Sequence, residues 1–235
     1  VMRETEWDFM AVYYDMVDHF CHGFMKYHPP KLKPIPKEKF EIYNEVINGA
    51  YIYQDMMLDR MMQLVDKDTT IIVMSDHGYE SGSLRILEMP KFSAAPAMEH
   101  RQFGMFAAMG PGIKKNTKIF GLGLLDIAPT LLHHFNLPVG KDMDGKVIQD
   151  MYENPKPVKF IDSWDAVEGN FGEHTGEVST TIENQEQLQQ LIDLGYVDAL
   201  DKDKGKALRQ VKCDVKHNLA RVHKGKKDYE RAKEL

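Results

Sequence analysis

The sequence is poor in the devices that rigidify small secreted proteins. It has two cysteines in 235 residues, Cys21 and Cys213, and they are too few and too far apart for a disulfide framework. It has no uninterrupted apolar run of about 18 residues, so no membrane-spanning helix is expected. It has no excess of positive charge. A net charge of −6 argues against a general nucleic-acid binder, and no nucleic-acid-binding module is expected. The opening residues, VMRETEWDFM, lack the apolar core of a signal peptide. They also lack an initiator Met, and the chain is expected to begin inside a longer protein. Nothing in this points to a compartment.

What is present fits a globular chain with a sizeable core: 43% hydrophobic and 28% charged residues. The charge is uneven. Residues 201–235 carry 12 Lys+Arg against 6 Asp+Glu, which leaves −12 on residues 1–200. A sign change of that size predicts two modules.

Apolar runs at 7–14 (WDFMAVYY), 69–75 (TTIIVMS) and 103–110 (FGMFAAMG) read as buried strands. A helix is expected from 17–28, and one long amphipathic helix from 37–65, its Met and Tyr content taken as core packing. Residues 124–137 (LLDIAPTLLHHFNL) read as another helix, with Pro129 tolerable in its first turn. This alternation predicts an α/β domain with buried, mostly parallel strands over residues 1–150. Residues 151–184 show no period and read as an irregular excursion or linker. A helix at 184–197 and a basic helical tail complete the 185–235 region.

The polar residues collect where α/β sheets gather ligands, at the carboxyl ends of strands. Asp18 and His22 are four residues apart and share a helix face, close enough to hold one cation between them; taken alone the pair is a weak signal and reads more simply as an acidic helix start. Asp76 and His77 follow the 69–75 strand, and Gly78 supplies the backbone freedom for both to turn inward. His100 stands three residues before the 103–110 strand. Carboxylate and imidazole together suit zinc or another borderline divalent ion. Two carboxylates and three imidazoles exceed one tetrahedral catalytic site and approach what two metals about 3.5–4 Å apart require.

In order, D-x-x-x-H, D-H-G, H-x-x-x-G, GPGI and DIAPTLLHHFNLPVGKDMDGKVI resemble the alkaline phosphatase superfamily. The branch resembled is that of the type I phosphodiesterases/nucleotide pyrophosphatases, with their sulfatase-like relatives, and the likeness runs over residues 7–150. It implies an alkaline-phosphatase-like α/β/α sandwich, of which this chain would be the C-terminal part of the catalytic domain. It implies that Asp18, His22 and His100 bind one metal and that Asp76 and His77 contribute to a second. Two divalent ions are expected, zinc by ligand type, with manganese or iron compatible. The implied activity is metal-dependent hydrolysis of a phosphodiester or nucleotide pyrophosphate, with sulfate or phosphonate esters as alternatives.

A Thr or Ser nucleophile and a further Asp are expected upstream of this chain, so no catalytic nucleophile is assigned within it. Ser75 is not nominated, because its side chain should alternate away from Asp76. His133 and His134 read as packing or surface residues. His174, in GEHTGE, imitates the His100 context but lacks a following strand. Arg101 either steadies a substrate oxyanion or pairs with an acid. In the tail, Asn218, Leu219, Ala220, Tyr229, Ala232 and Leu235 resemble the first unit of a tetratricopeptide array; the plain alternative is a basic surface helix pair. A protein partner through that tail, and an inactive scaffold built on it, stand as the alternative to a hydrolase acting on a small phosphate ester.

Overall fold

The computed structural model describes residues 2–4, 6–90, 98–169, 204–225 and 227–235. The helix expected at 184–197, and His174, lie outside the described residues. The chain forms two units, Val1–Met89 with Ala97–Val178, and Pro90–Pro96 with Ser179–Leu235.

In the first unit, helix α1 (Met16–Phe24) turns its apolar stripe onto α3 (Val46–Met62). Cys21, Met25 and Ile47 are buried at that contact, with Val17, Phe24 and Tyr79 packed against them. The helix expected as one piece from 37–65 is broken. Helix α2 (Lys37–Tyr43) stops before Asn44, whose side-chain amide donates to the carbonyls of Phe40 at 2.7 Å and Glu41 at 3.1 Å. A side chain that captures backbone acceptors in this way competes with the helical ladder.

Strand β1 (Ile71–Met74) pairs with β4 (Phe106–Met109), Ile71 opposite Met109 and Met74 opposite Phe106. Between them β2 (Gly78–Tyr79) pairs with β3 (His100–Arg101), Tyr79 opposite His100. Both ladders are antiparallel, which corrects the expected mostly parallel sheet. The reason lies in the connection. Its described residues hold a hairpin and short 3-10 turns, at Gly82–Leu84 and at 98–99, instead of the crossover helix that a parallel return requires. One short parallel pair does occur, β5 (Val139–Gly140) with β6 (Phe160–Ile161).

The strand expected at 7–14 is absent as well. A strand exists through its ladder, and β1, the nearest analogue in sequence pattern, pairs only with β4 among the described residues. Residues 7–14 run without ladder bonds, and Phe9, Tyr13 and Tyr14 are exposed, Tyr13 by 86%.

A second core gathers Ile113, Ile148 and Met151 beneath α4 (Ile127–His134), with Phe106, Ala108 and Ile127 around them. Residues 151–161, part of the segment expected to be irregular, pack into this unit: Met151 is 1% exposed, Tyr152 bridges to Ile113, and β6 lies beside β5. Pro129 sits in the first turn of α4, where its missing N–H costs no helical bond. The helix ends at Asn136, whose φ of 59° is left-handed, with Leu137 N–H donating to Leu132 at 2.8 Å and Asn136 N–H to His133 at 2.9 Å. In the second unit, α5 (Lys204–Gly225) and α6 (Tyr229–Glu234) form one helix pair, and Asp228 caps α6 through the Arg231 N–H.

Candidate metal centre

Three elements of the first unit deliver the site. Helix α1 carries Asp18 and His22 one turn apart, and His22 Nε2 lies 3.5 Å from Asp18 Oδ1. The turn after β1 carries Asp76 and His77; Asp76 Oδ1 accepts the His77 N–H at 3.0 Å, which fixes the turn. Gly78 is needed there, since a Cβ would overlap the Phe103 carbonyl oxygen. Strand β3 opens with His100, brought across from Tyr79 by the β2–β3 register.

The result is a convergence on one carboxylate oxygen. The Nε2 atoms of His22, His77 and His100 lie 3.5, 3.7 and 3.6 Å from Asp18 Oδ1. His22 Nε2 and His100 Nε2 are 3.1 Å apart, and the His77 and His100 rings stack with centroids 3.7 Å apart. Asp18, His22 and His100 present ligand atoms within 4.8 Å of one another. Of the five residues singled out from the sequence, four therefore meet. Asp76 stands at the rim with its side chain 70% exposed, its Oδ1 3.8 Å from His77 Nε2. It also lines a wide crevice of about 1210 Å³ whose walls include Phe103, Lys114 and Phe120.

The donor set fits a divalent ion. Bonds of about 2.0–2.1 Å to a tetrahedral zinc place neighbouring ligand atoms about 3.3 Å apart. The three edges of the Asp18–His22–His100 triangle, at 3.5, 3.1 and 3.6 Å, bracket that value. Burial lowers the pKa of His100 to about 4, with the neighbouring His77 adding to the shift and Asp18 opposing it. A neutral imidazole is the form that ligates. His77 directs its lone pair inward through its other nitrogen, since Nδ1 lies 3.0 Å from the Gly78 carbonyl and must donate to it.

Two residues that sequence reasoning missed complete the surroundings. Glu99 is 6% exposed, and its Oε2 lies 2.7 Å from both His22 Nδ1 and the Tyr79 hydroxyl. Burial, followed by the hydrogen bond to Glu99, pushes the Tyr79 phenol above its ordinary range. Cys21, one residue before His22, is inert by the same logic: burial, then Asp18 and Glu99, raise its thiol to about 12. The only signal for Glu99 was a carboxylate directly before a candidate ligand. Ser75 is engaged elsewhere, its Oγ accepting the Met105 N–H at 2.8 Å. His133 and His134 pack around Tyr152, away from the cluster's own contacts.

A family model, type I phosphodiesterase / nucleotide pyrophosphatase, matches residues 1–119. The chain belongs to that family. The matched residues include all four that converge on the centre, together with Asp76, Tyr79 and Glu99, whereas the DIAPT segment lies beyond them. No curated protein and no solved structure matches the chain. Membership makes it a phosphodiester-hydrolase-type domain in broad class, of a family that is typically metal-dependent.

Proposed function

We propose that the first unit is the metal-binding part of a hydrolase acting on phosphate esters, a phosphodiester or a nucleotide pyrophosphate. Asp18, His22 and His100 hold one divalent ion, zinc by ligand type, with manganese or iron as compatible occupants of a mixed carboxylate/imidazole set. Asp76 and His77 contribute to a second. The observation that carries the proposal is the meeting of three imidazole nitrogens from three separate elements around Asp18 Oδ1. Three buried or half-buried imidazoles facing one another have little reason to do so unless a cation lies between them.

When bound, the ions would polarise a phosphoryl oxygen and offset the charge developing on attacking and leaving oxygens. The protein's own part is to bind and orient. The α1 helix holds Asp18 and His22 in fixed register, and the hairpin holds His100 against them. His77 keeps its proton on Nδ1 through the Gly78 carbonyl, so Nε2 stays available. Asp76, exposed at the crevice edge, stands where an incoming ester would arrive. The proposal assigns no nucleophile within this chain.

The test has two arms. Full-length protein is expected to bind about two zinc ions, with Asp18→Ala losing the ion held by the triangle and His77→Ala weakening the second. It is expected to cleave a chromogenic phosphodiester faster than a monoester or a sulfate ester. Retention of both ions in both variants would refute the ligand assignment, and indifference between the three esters would refute the substrate class. The scaffold alternative, in which the α5–α6 pair starts a tetratricopeptide-like peptide-binding array, predicts neither metal-dependent result.

A further inference from the structure

We infer that Glu99, steadied by Tyr79, is a positioning carboxylate that fixes the tautomer of His22 and aims its Nε2 lone pair at the Asp18–His100 triangle. The inference rests on the metal-centre reading above and adds to it two residues that contact no substrate or ion directly.

The argument starts from a count of protons among three atoms. His22 Nδ1, Tyr79 Oη and Glu99 Oε2 form a closed triangle with sides of 2.7, 2.7 and 2.6 Å. A carboxylate only accepts, and Tyr79 has one proton to give. Were that proton on the His22 side, with Nδ1 bare, Glu99 Oε2 would face two acceptors at 2.7 Å with no hydrogen between them. For a side chain 6% exposed, that arrangement loses two charge-assisted bonds and leaves a buried anion uncompensated. The alternative gives every contact of the triangle a hydrogen, the Nδ1–H being shared with the Tyr79 oxygen. His22 Nδ1–H and Tyr79 O–H both donate to Glu99, and His22 Nε2 keeps its lone pair facing Asp18 and His100.

The backbone explains why these residues meet although 77 positions separate His22 from Glu99. Glu80 N–H donates to the Glu99 carbonyl at 2.7 Å, extending the β2–β3 ladder by one bond. Glu99 and Tyr79 thus sit in adjacent rungs of one hairpin, both beside α1. The Tyr79 ring packs edge-on against His22, with centroids 5.2 Å apart and planes at 79°, so the imidazole cannot rotate away without displacing it. A metal-bound imidazole whose other nitrogen donates to a carboxylate is a more basic and better oriented ligand. His22 and His77 are thereby prepared in the same tautomer by two different acceptors, a carboxylate and a backbone carbonyl.

The first measurement uses full-length, metal-free protein at pH 8, labelled with ¹⁵N-histidine. Long-range proton–nitrogen correlations are expected to show His22 protonated at Nδ1, and to show that preference lost in Glu99→Leu. A His22 carrying its proton on Nε2 alone would overturn the inference. The second measurement is zinc affinity against a chromophoric chelator. Glu99→Gln, which keeps the shape and one neutral acceptor, is expected to lose roughly tenfold and Glu99→Leu roughly a hundredfold. Tyr79→Phe keeps the ring and loses only a few-fold, because the carboxylate loses one anchor but retains His22. A folded Glu99→Leu with affinity within about twofold of wild type, against the tenfold or more expected, would also overturn it.

Should the Glu99 variants fail to fold, the wild-type tautomer and Tyr79→Phe still decide. A wild-type protein that takes up no zinc, manganese or iron, yet shows His22 protonated at Nδ1, would sink the metal-centre reading and leave the clamp standing, so the two failures are distinguishable.

Discussion

Replacing Asp126 by Asn changes one oxygen to one amino group and is expected to cost a large part of the first unit's stability. Asp126 is fully buried. Its Oδ2 accepts the Gly123 N–H at 2.8 Å and its Oδ1 accepts the Lys146 N–H at 2.9 Å, so one carboxylate ties the turn before α4 to a loop 20 residues later. An Asn side chain satisfies one of those donors and turns its own NH₂ toward the other. One hydrogen bond to a charged group is lost, about 1.5–3 kcal/mol, and buried donors are left facing each other at a further 1–3 kcal/mol or so. The total, about 2.5–6 kcal/mol, is a sizeable fraction of the roughly 5–15 kcal/mol that holds a domain folded. The assay is urea unfolding followed by circular dichroism, with Asp162→Asn as the matched control. Asp162 also pairs with a cation, Lys141, at 2.6 Å, but its side chain is 91% exposed, and its loss is expected to cost at most about 1 kcal/mol. If the two variants unfold at the same urea concentration, the burial argument is wrong.

Two further outcomes follow from single groups. Cys213 is exposed and Cys21 is 1% exposed with its thiol raised to about 12, so iodoacetamide on the native protein should label Cys213 and spare Cys21 even at pH 9; equal labelling by mass spectrometry would contradict this. His134 has a folded pKa below its ordinary value through burial, and His133 likewise, with Lys156 adding to the effect. The unfolded chain therefore binds more protons as pH falls below about 6.5, and stability that is complete above that pH declines beneath it until the folded imidazoles also protonate. The melting temperature should drop between pH 7.5 and pH 5.5, and drop less in His134→Gln; equal pH dependence in both proteins would rule out His134 as a contributor.

The elements legible in the sequence were those whose apolar pattern is closed by local chemistry. β1 is a short β-branched run ending in polar residues, and β4 a short apolar run ending in Gly110-Pro111. α4 is marked by an acidic residue, a proline in the first turn and an Asn able to take the left-handed stop. What misled was pattern without context. Residues 7–14 have strand-like composition, but composition does not supply a ladder partner, and Tyr13 is exposed where a strand core was expected. The 37–65 helix has a continuous apolar face, but periodicity is blind to one amide folding back on two carbonyls at Asn44. The strand direction was read from the alternation of elements, whereas direction depends on what crosses between them.

The centre divides along the same line. Asp18 and His22 were legible because helical spacing alone brings them together, and Asp76 with His77 because adjacency does. Glu99 was not, because its meaning depends on which nitrogen of a histidine 77 positions away faces it, and that is set by the β2–β3 register. Residues that would touch an ion are restricted to a few donor types and stand out against a polar background. Residues that orient them need only accept a proton, which many side chains and every backbone carbonyl do. The same task at His77 is performed by the Gly78 carbonyl, which has no side-chain identity for a sequence to display. A candidate ion centre is therefore more visible in sequence than the hydrogen bonds that would orient its ligands, and the second set must be found by accounting for every buried proton.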